Sequence, residues 1–292
     1  MKFTIDVLGV FLKIVIRVNK ATFAPLVVST LFILLTSILA HCARRLVQTI
    51  VKDPFVRVLF EEAIAAAELC GCCFELIVVA DNFGVATYAL FLFLLTIWWS
   101  LNWGEATACP YTHIEDIIEG RTDIRKAVLK TWAELGGGLL VFKYVQMYWA
   151  LEISDTHKDK AIEDCTADLQ VPVLYGALVE GVATCICRLA SRALGDINPR
   201  FATAIDAFVG TSLVVAAFDY SGGYFNPVLA TSLKAGCHGH TLTEHATVYW
   251  AGACAGSIMS VYLYKLPAIQ QFVRGTTETE VNGDSIWAGK ED

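Results

Sequence analysis

The chain has 292 residues, of which 55% are hydrophobic and 17% are charged, and its mean hydropathy is +0.54. Soluble domains carry about 25% charged residues, so this composition excludes an ordinary soluble domain and favours a membrane protein. The net charge of −7 argues against a nucleic-acid partner, which would need a clustered basic face.

Seven apolar stretches are long enough to cross a membrane, since a spanning helix needs about 20 residues. They lie at 24–43, 58–80, 84–102, 131–151, 172–190, 202–220 and 246–266. Two further segments, 108–120 and 225–236, are too short and too polar to cross, and each contains an X-Pro-Y sequence near its start. We therefore expect an all-α polytopic membrane protein with two short helices that do not cross.

Lys and Arg concentrate in alternate connections, which assigns those connections to the cytoplasm under the positive-inside rule. The six spans from residue 58 onward agree with this topology. The 24–43 stretch fits less well, because its crossing would translocate the basic residues that precede it. It is either an extra span or a tilted or interfacial helix.

An internal repeat relates the two halves of the chain. Glu62 precedes Cys109 by 47 residues and Glu180 precedes Asn226 by 46 residues, with one further span inside each interval. Each half has three spans, so the second half enters the membrane from the opposite side. Such inverted repeats bring their functional segments together at the bilayer midplane.

Two intramembrane carboxylates at matching positions indicate a shared role, because a charge in hydrocarbon is costly. We expect Glu62 and Glu180 each to accept hydrogen bonds from backbone N–H groups of the neighbouring non-spanning loop, whose polar groups need partners within the protein. A proton relay is the alternative.

The two short segments predict half-helices whose positive ends meet. Proline suits the first helical position, and Asn226 suits the N-cap, with its amide group left free to donate into a lumen. Two such ends would oppose cations and protons while neutral solutes pass. A pair of ordinary surface helices would not explain the matched spacing.

Residues 219–228, Asp-Tyr-Ser-Gly-Gly-Tyr-Phe-Asn-Pro-Val, resemble the second signature loop of the aquaporin (major intrinsic protein) family. The two glutamates match that family's pair. The sequence Glu-Leu-Cys-Gly-Cys-Cys-Phe-Glu-Leu at 68–76 and the extra N-terminal stretch resemble the unorthodox, or superaquaporin, branch. Within that branch, the pair of signature sequences Cys-Pro-Tyr and Asn-Pro-Val resembles the insect forms. The residues at the signature positions are Cys109, Pro110 and Tyr111 in the first loop and Asn226, Pro227 and Val228 in the second.

This resemblance implies an aquaporin-like inverted repeat of six transmembrane helices and two re-entrant half-helices. The channel domain would cover 58–266, with repeats at 58–151 and 172–266, between an N-terminal segment at 1–57 and a polar cytoplasmic tail at 267–292. It also implies passive passage of water or small neutral solutes such as glycerol and hydrogen peroxide. The expected setting is a homotetramer among membrane lipid, in the endoplasmic reticulum rather than the plasma membrane, with no cofactor.

By the same resemblance, Val214, Gly223 and Leu229 are the candidate selectivity filter. Leu229 stands where typical members have Arg, so this filter is apolar and uncharged. It would weaken a cation barrier and bind water less well, and it could admit larger neutral solutes. Cys109 lacks the amide donor of the family's Asn, and Tyr111 is larger than the family's Ala.

Cysteine and histidine residues suggest three other sites. Cys109 and His113 lie one helical turn apart, but no third catalytic group is recognisable, so we do not expect an enzyme. The loop residues Cys237, His238, His240 and His245 have no specific metal-ligand spacing, and no metal is predicted. Cys165 and Cys237 both fall in non-cytoplasmic loops and could form a disulfide.

Two alternatives to a channel stay open from the sequence. One is a non-conducting membrane interaction protein with the same fold. The other is a proton-coupled transporter that uses Glu62 and Glu180.

Overall fold

The computed structural model describes residues 25–273 and 275–276, and all regular elements in this range are helical. The long helices and the two short ones follow the predicted order. They are α1 (Pro25–Ile50), α2 (Pro54–Phe83), α3 (Val85–Asn102), α4 (Pro110–Ile118), α5 (Ile124–Trp149), α6 (Val173–Ile197), α7 (Ala202–Ser221), α8 (Pro227–Lys234) and α9 (Leu242–Tyr264). A 3-10 turn at Asp155–His157 lies in the long loop between α5 and α6.

Helix ends follow local chemistry. The Asp53 carboxylate accepts the backbone N–H of Val56 at the start of α2, and the Asp123 carboxylate caps α5 in the same way. Asn198 ends α6 and Gly222 ends α7, both in the left-handed backbone region that terminates helices. The predicted boundaries agree with the observed ones to within four residues at most ends. Helices α1 and α6 end seven residues later than predicted and α5 begins seven residues earlier, because apolar length does not register polar first and last turns.

Six helices within the described residues are long and apolar enough to cross a membrane, which makes this a multi-pass membrane protein. Helix α1 is one of them, with 26 residues and a window hydropathy of 2.2. Helix α5, predicted as a span at 131–151, is long enough but is not among the six, because its sequence includes Lys130, Glu134 and Lys143. Its buried charges are paired inside the protein, as described below.

The two halves of the chain pack in the same way. Helix α2 packs mainly along α5, and α6 packs mainly along α9. At each crossing a glycine lies against a backbone carbonyl: a Cβ on Gly137 would lie 1.9 Å from the Ala63 oxygen, and one on Gly256 would lie 1.9 Å from the Gly181 oxygen. The two halves predicted from the sequence therefore correspond even in the glycine at each helix crossing.

Helix α1 is joined to the core by a buried ion pair. Arg44 donates from Nη1 to Oε2 of Glu68 on α2 over 2.6 Å, and both side chains are almost fully buried. The indole N–H groups of Trp98 and Trp103 donate to the same carboxylate. Glu68 thus ties α1 to α2 and to the end of α3.

The division of the chain into segments 1–57, 58–266 and 267–292 stays a prediction. Residues 1–24, 274 and 277–292, which include most of the expected cytoplasmic tail, lie outside the described residues.

Candidate functional site: two opposed half-helices

The loop that leads into α4 has an unusual backbone held by a buried carboxylate. Ala108 has φ 51°, and Cys109 follows as an extended N-cap with φ −150° and ψ 120°. A non-glycine residue in the left-handed region costs about 1–3 kcal/mol and persists only where its surroundings hold it. Oε2 of Glu62 accepts the backbone N–H of Thr107 over 2.9 Å and that of Ala108 over 3.0 Å.

The loop that leads into α8 repeats this geometry. Phe225 has φ 47°, and Asn226 is an extended N-cap with φ −150° and ψ 114°. The Glu180 carboxylate accepts the N–H of Tyr224 over 3.1 Å and that of Phe225 over 2.7 Å. Both glutamates therefore make the contact that the sequence analysis expects of them, each with its own loop.

The N-termini of the two half-helices meet through Asn226. Its Oδ1 accepts the N–H groups of Val228 and Leu229, and its Nδ2 donates to the carbonyl oxygen of Ala108 over 2.8 Å. The sequence analysis expected this amide group to be free for solutes, but one of its N–H donors is used by the opposite loop. Cys109 has no side-chain capping bond, so the two ends are unequal.

An outer vestibule of about 300 Å³ lies beside the loop that precedes α8. Gly223 and Leu229 line it, together with Tyr88 and Phe218, whose rings pack edge-on. Val214 lies behind Gly223: a Cβ on that glycine would be 2.7 Å from the Val214 carbonyl oxygen. The structure thus brings two of the three predicted filter residues to this cavity, and the third supports them.

An inner vestibule of about 470 Å³ lies at the opposite end of α3. Tyr111 lines it, and the Arg188 guanidinium stands 5.8 Å from the centre of the Tyr111 ring. Glu115 is buried and accepts both Arg188 and Arg192, at 2.7 Å from each in the closest contact. The cations that line this mouth are therefore neutralised by carboxylates of α4.

Apolar side chains pack around the two signature loops. Leu92 and Leu95 of α3 are buried in one cluster with Ala108, which precedes the N-cap Cys109, and with Val228, the second residue after the N-cap Asn226.

Comparison with known proteins identifies the family of the chain. The chain is 30% identical to aquaporin-11 of the tardigrade Milnesium tardigradum over 262 residues, which are 89% of this chain and 94% of that protein. The chain belongs to the aquaporin family. Mouse aquaporin-12 is 29% identical over 258 residues, which are 85% of this chain and 89% of that protein.

The relatives point to the superaquaporin branch of the family, to which aquaporin-11 and aquaporin-12 belong. The similarity to insect forms stays a prediction. No protein-family model matches the chain. An aquaglyceroporin from Plasmodium falciparum aligns over 74% of this chain and 93% of its own, with 16% identity and a TM-score of 0.45.

The structure adds buried carboxylates that the sequence analysis of this aquaporin did not single out. Glu134 of α5 contacts His113 of α4, and Glu75 of α2 binds the indole of Trp149 and the imidazole of His157. The sequence signal that could have identified them is a carboxylate inside an apolar span, since such residues are seldom without a partner. Their partners could not be identified, because they come from distant segments.

The remaining predicted residues lie as follows. Cys165 and Cys237 are joined by a disulfide, and His238 donates its backbone N–H to the Cys165 carbonyl. His240 contacts His245 ring to ring, and burial lowers the pKa of His240 below its ordinary value.

The imidazole of His113 bonds to Glu134 rather than to Cys109. Because its imidazole binds Glu134, His113 is not placed to activate the Cys109 thiol. Cys109 and His113 therefore do not resemble a catalytic pair.

Proposed function

We propose that this aquaporin is a passive pathway for water and small neutral solutes, such as glycerol and hydrogen peroxide, which pass beside Asn226. The observation that carries the proposal is the bond between Asn226 and the Ala108 carbonyl, which holds the positive ends of the two half-helices together. Helix N-termini repel cations, and a second N–H of the amide can still donate to a neutral solute.

The outer filter would select solutes by size rather than by charge. Gly223 and Leu229 offer no charged group to the outer vestibule, so a cation meets no fixed positive side chain there. Cation exclusion would then depend on the helix ends and on the apolar side chains packed around them. Glycerol and hydrogen peroxide, which are neutral, are the solutes that distinguish this filter from one selective for water.

A non-conducting membrane interaction protein is the second candidate. It is favoured by the burial of Leu92 and Leu95 in one apolar cluster with Ala108 and Val228 of the two signature segments. A proton-coupled transporter is a weaker alternative, because Glu62 and Glu180 are both engaged by backbone N–H groups.

Stopped-flow measurements on proteoliposomes distinguish the three candidates. The channel requires permeability to water, glycerol or hydrogen peroxide above that of empty liposomes, with no effect of an imposed pH gradient. A rate that rises with the gradient would favour the transporter. Permeability equal to empty liposomes for all three solutes would favour the non-conducting protein.

Leu229→Trp tests whether the path runs through the outer vestibule. The larger side chain should fill the cavity and lower solute permeability at least several-fold. Leu90→Trp is the matched control, because Leu90 lies on α3 and is 57% exposed. Equal loss in both variants would contradict a path beside Leu229.

We also propose a homotetramer in the endoplasmic reticulum membrane, which the resemblance to superaquaporins supports. Large apolar side chains such as Leu140 on α5 and Leu174 on α6 are exposed and need lipid or a neighbouring copy. The mass of the detergent-solubilised complex tests the assembly, and microscopy of the tagged full chain tests the location.

A further inference from the structure

Glu62, His113 and Glu134 form a buried cluster, here called the three-residue cluster, where α2, α4 and α5 meet. Nε2 of His113 lies 2.9 Å from Oε1 of Glu134 and 3.8 Å from Oε1 of Glu62. One ligand atom from each residue lies within 4.8 Å of the other two. None of the three side chains is more than 1% exposed.

Two carboxylate oxygens of this cluster have no partner with hydrogen-bond geometry, although the Cys109 backbone N–H and the Glu62 carboxylate both lie beside Glu134. The two oxygens are Oε1 of Glu62 and Oε2 of Glu134. Buried polar atoms are nearly always satisfied, and a buried carboxylate without a partner is especially costly. Glu62 therefore uses one oxygen for the loop N–H groups and presents the other to the interior of the cluster.

Lys130 is the nearest cation, but it does not complete the cluster. Its Nζ is 3.7 Å from Oε1 of Glu62, which is longer than a hydrogen bond, and its side chain is 20% exposed. One ammonium balances only one of the two carboxylates. Its exposed position leaves room for it to swing outward when another cation enters.

Among the described residues of the second half there is no such cluster, although the backbone repeats. His113 is the fourth residue after Cys109, and the fourth after Asn226 is Ala230. Glu134 is three residues before Gly137, and Ala253 is three residues before Gly256. Ala230 and Ala253 are both fully buried. The inverted fold itself therefore does not require these polar side chains.

The half that carries the cluster is also the half that lacks a side-chain cap. Asn226 caps α8 with its amide oxygen, whereas Cys109 makes no capping bond to α4. A ligand bound by His113 and the two glutamates would fix α4 between α2 and α5. It would also hold Glu62 in place under the Thr107–Ala108 loop.

We propose that the three-residue cluster binds a divalent transition-metal ion, with Zn²⁺ as the ion that suits it best. One imidazole nitrogen and two carboxylate oxygens are ligands that Zn²⁺ accepts, and a site with three protein ligands keeps its fourth position for water. The metal binds the lone pair of Nε2 on a neutral His113, whose single ring proton then lies on Nδ1, a buried atom with no other partner. The bound ion anchors the first half-helix.

Metal analysis of the purified full chain tests this proposal. Protein in detergent is incubated with Zn²⁺, desalted and measured by elemental mass spectrometry, and Co²⁺ is used in parallel because its visible absorption reports the ligand geometry. We expect one Zn²⁺ per chain. Wild-type protein that retains no Zn²⁺ and gives no protein-dependent Co²⁺ spectrum overturns the proposal.

Two types of variant keep the test independent of misfolding. Glu134→Gln and His113→Gln should lower Zn²⁺ affinity by more than about tenfold, the loss that even outer-shell changes cause. Glu75→Gln is the matched control, because Glu75 is a buried carboxylate of α2 that also contacts a histidine, His157. Equal Zn²⁺ retention in Glu134→Gln and Glu75→Gln counts against the site.

Lys130→Met should change the Zn²⁺ affinity in the opposite direction. Removing the competing ammonium should raise Zn²⁺ affinity several-fold, and the exposed position of the side chain makes the variant tolerable to the fold. A cluster that merely shares a proton would show no Zn²⁺ in this variant either. These readouts do not depend on solute permeation, so this proposal and the channel proposal can fail separately.

Discussion

Gly137 and Gly256 occupy the closest contacts between the central helices of the two halves. Any side chain at either position would meet a backbone carbonyl that cannot rotate away. Small residues at such crossings are what allows membrane helices to approach closely. The same device appears at both crossings because the inverted repeat places the same helix pair in each half.

Gly137→Ala is expected to lower the thermal stability of the detergent-solubilised protein. Overpacking typically costs about 1–3 kcal/mol, and here the added methyl group would have to displace backbone rather than a side chain. Gly136→Ala is the control, because its added Cβ would meet no atom within 4 Å. Thermal unfolding followed by tryptophan fluorescence measures both, and equal melting temperatures would contradict the packing argument.

The Cys109 end of the site shows how one residue changes its surroundings. A thiol cannot cap α4 as an amide caps α8, and the polar contacts near α4 come from other side chains: His113, Glu115 and their partners. Glu115 accepts two arginines and the hydroxyl of Ser257. The first half-helix is therefore held by contacts of side chains along its length, and the second by its N-cap residue.

Helix α1 is an addition to the repeated fold, and one ion pair fixes its register. Arg44 and Glu68 bury opposite charges between α1 and α2, and aromatic packing of Phe32 on Tyr144 and Tyr148 supports the same contact. The extra helix is therefore docked on the outside of the α2–α5 pair rather than inserted between the half-helices.

Arg44→Met is expected to destabilise the protein, because it leaves the Glu68 carboxylate buried without its cation. Removing one partner of a buried pair costs about 3–5 kcal/mol, and the two indole N–H donors to Glu68 should keep the loss near the lower end. Thermal unfolding in detergent measures the effect.

Arg45→Met is the control for this prediction, since Arg45 is exposed on the same helix turn. If both variants melt at the wild-type temperature, the ion pair does not hold α1. A loss in Arg45→Met equal to that in Arg44→Met would assign the effect to net charge instead.

On one side of the molecule, a covalent link joins the loop after α5 to the end of α8. The disulfide between Cys165 and Cys237 spans 72 residues of sequence, and backbone bonds between the same loops run beside it. The link connects the first and second halves next to the outer vestibule, where Lys234 also pairs with Asp168.

The double variant Cys165→Ser, Cys237→Ser should unfold at a lower temperature than the wild type. Loss of a disulfide typically costs about 2–4 kcal/mol through greater freedom of the unfolded chain. Reduction of the wild type should reproduce the loss. Cys42→Ser is the control, because Cys42 is an exposed free thiol, and recovery of both loop thiols unmodified by mass mapping would refute the link.

Much of the fold could be read from the sequence because its signals are local. Apolar length gave the helices, proline gave the starts of the half-helices, and the equal Glu-to-signature spacings gave the inverted repeat. Hydropathy was less informative for α5, because the buried Glu134 and the partly exposed Lys130 lower it although their partners lie on neighbouring helices.

The site could be predicted only in part. The signature residues and the two loop-binding glutamates follow from spacing, but the bond from Asn226 to Ala108 crosses between halves 118 residues apart in sequence. No feature of the neighbouring sequence indicates that Val214 lies behind Gly223 and not beside it on the outer vestibule. The buried partners of Glu68, Glu75 and Glu134 likewise come from helices that only packing brings together.

The sequence alone therefore determined that this is an all-helical membrane protein with two opposed half-helices, because periodicity, length and proline position act within a few turns of one helix. The tertiary structure decided the use of the Asn226 amide, the docking of α1 by Arg44 and the convergence of Glu62, His113 and Glu134. Each of these depends on how helices that are distant in the chain pack against each other. Buried charges amplify that dependence, since each needs a partner that the folded arrangement alone supplies.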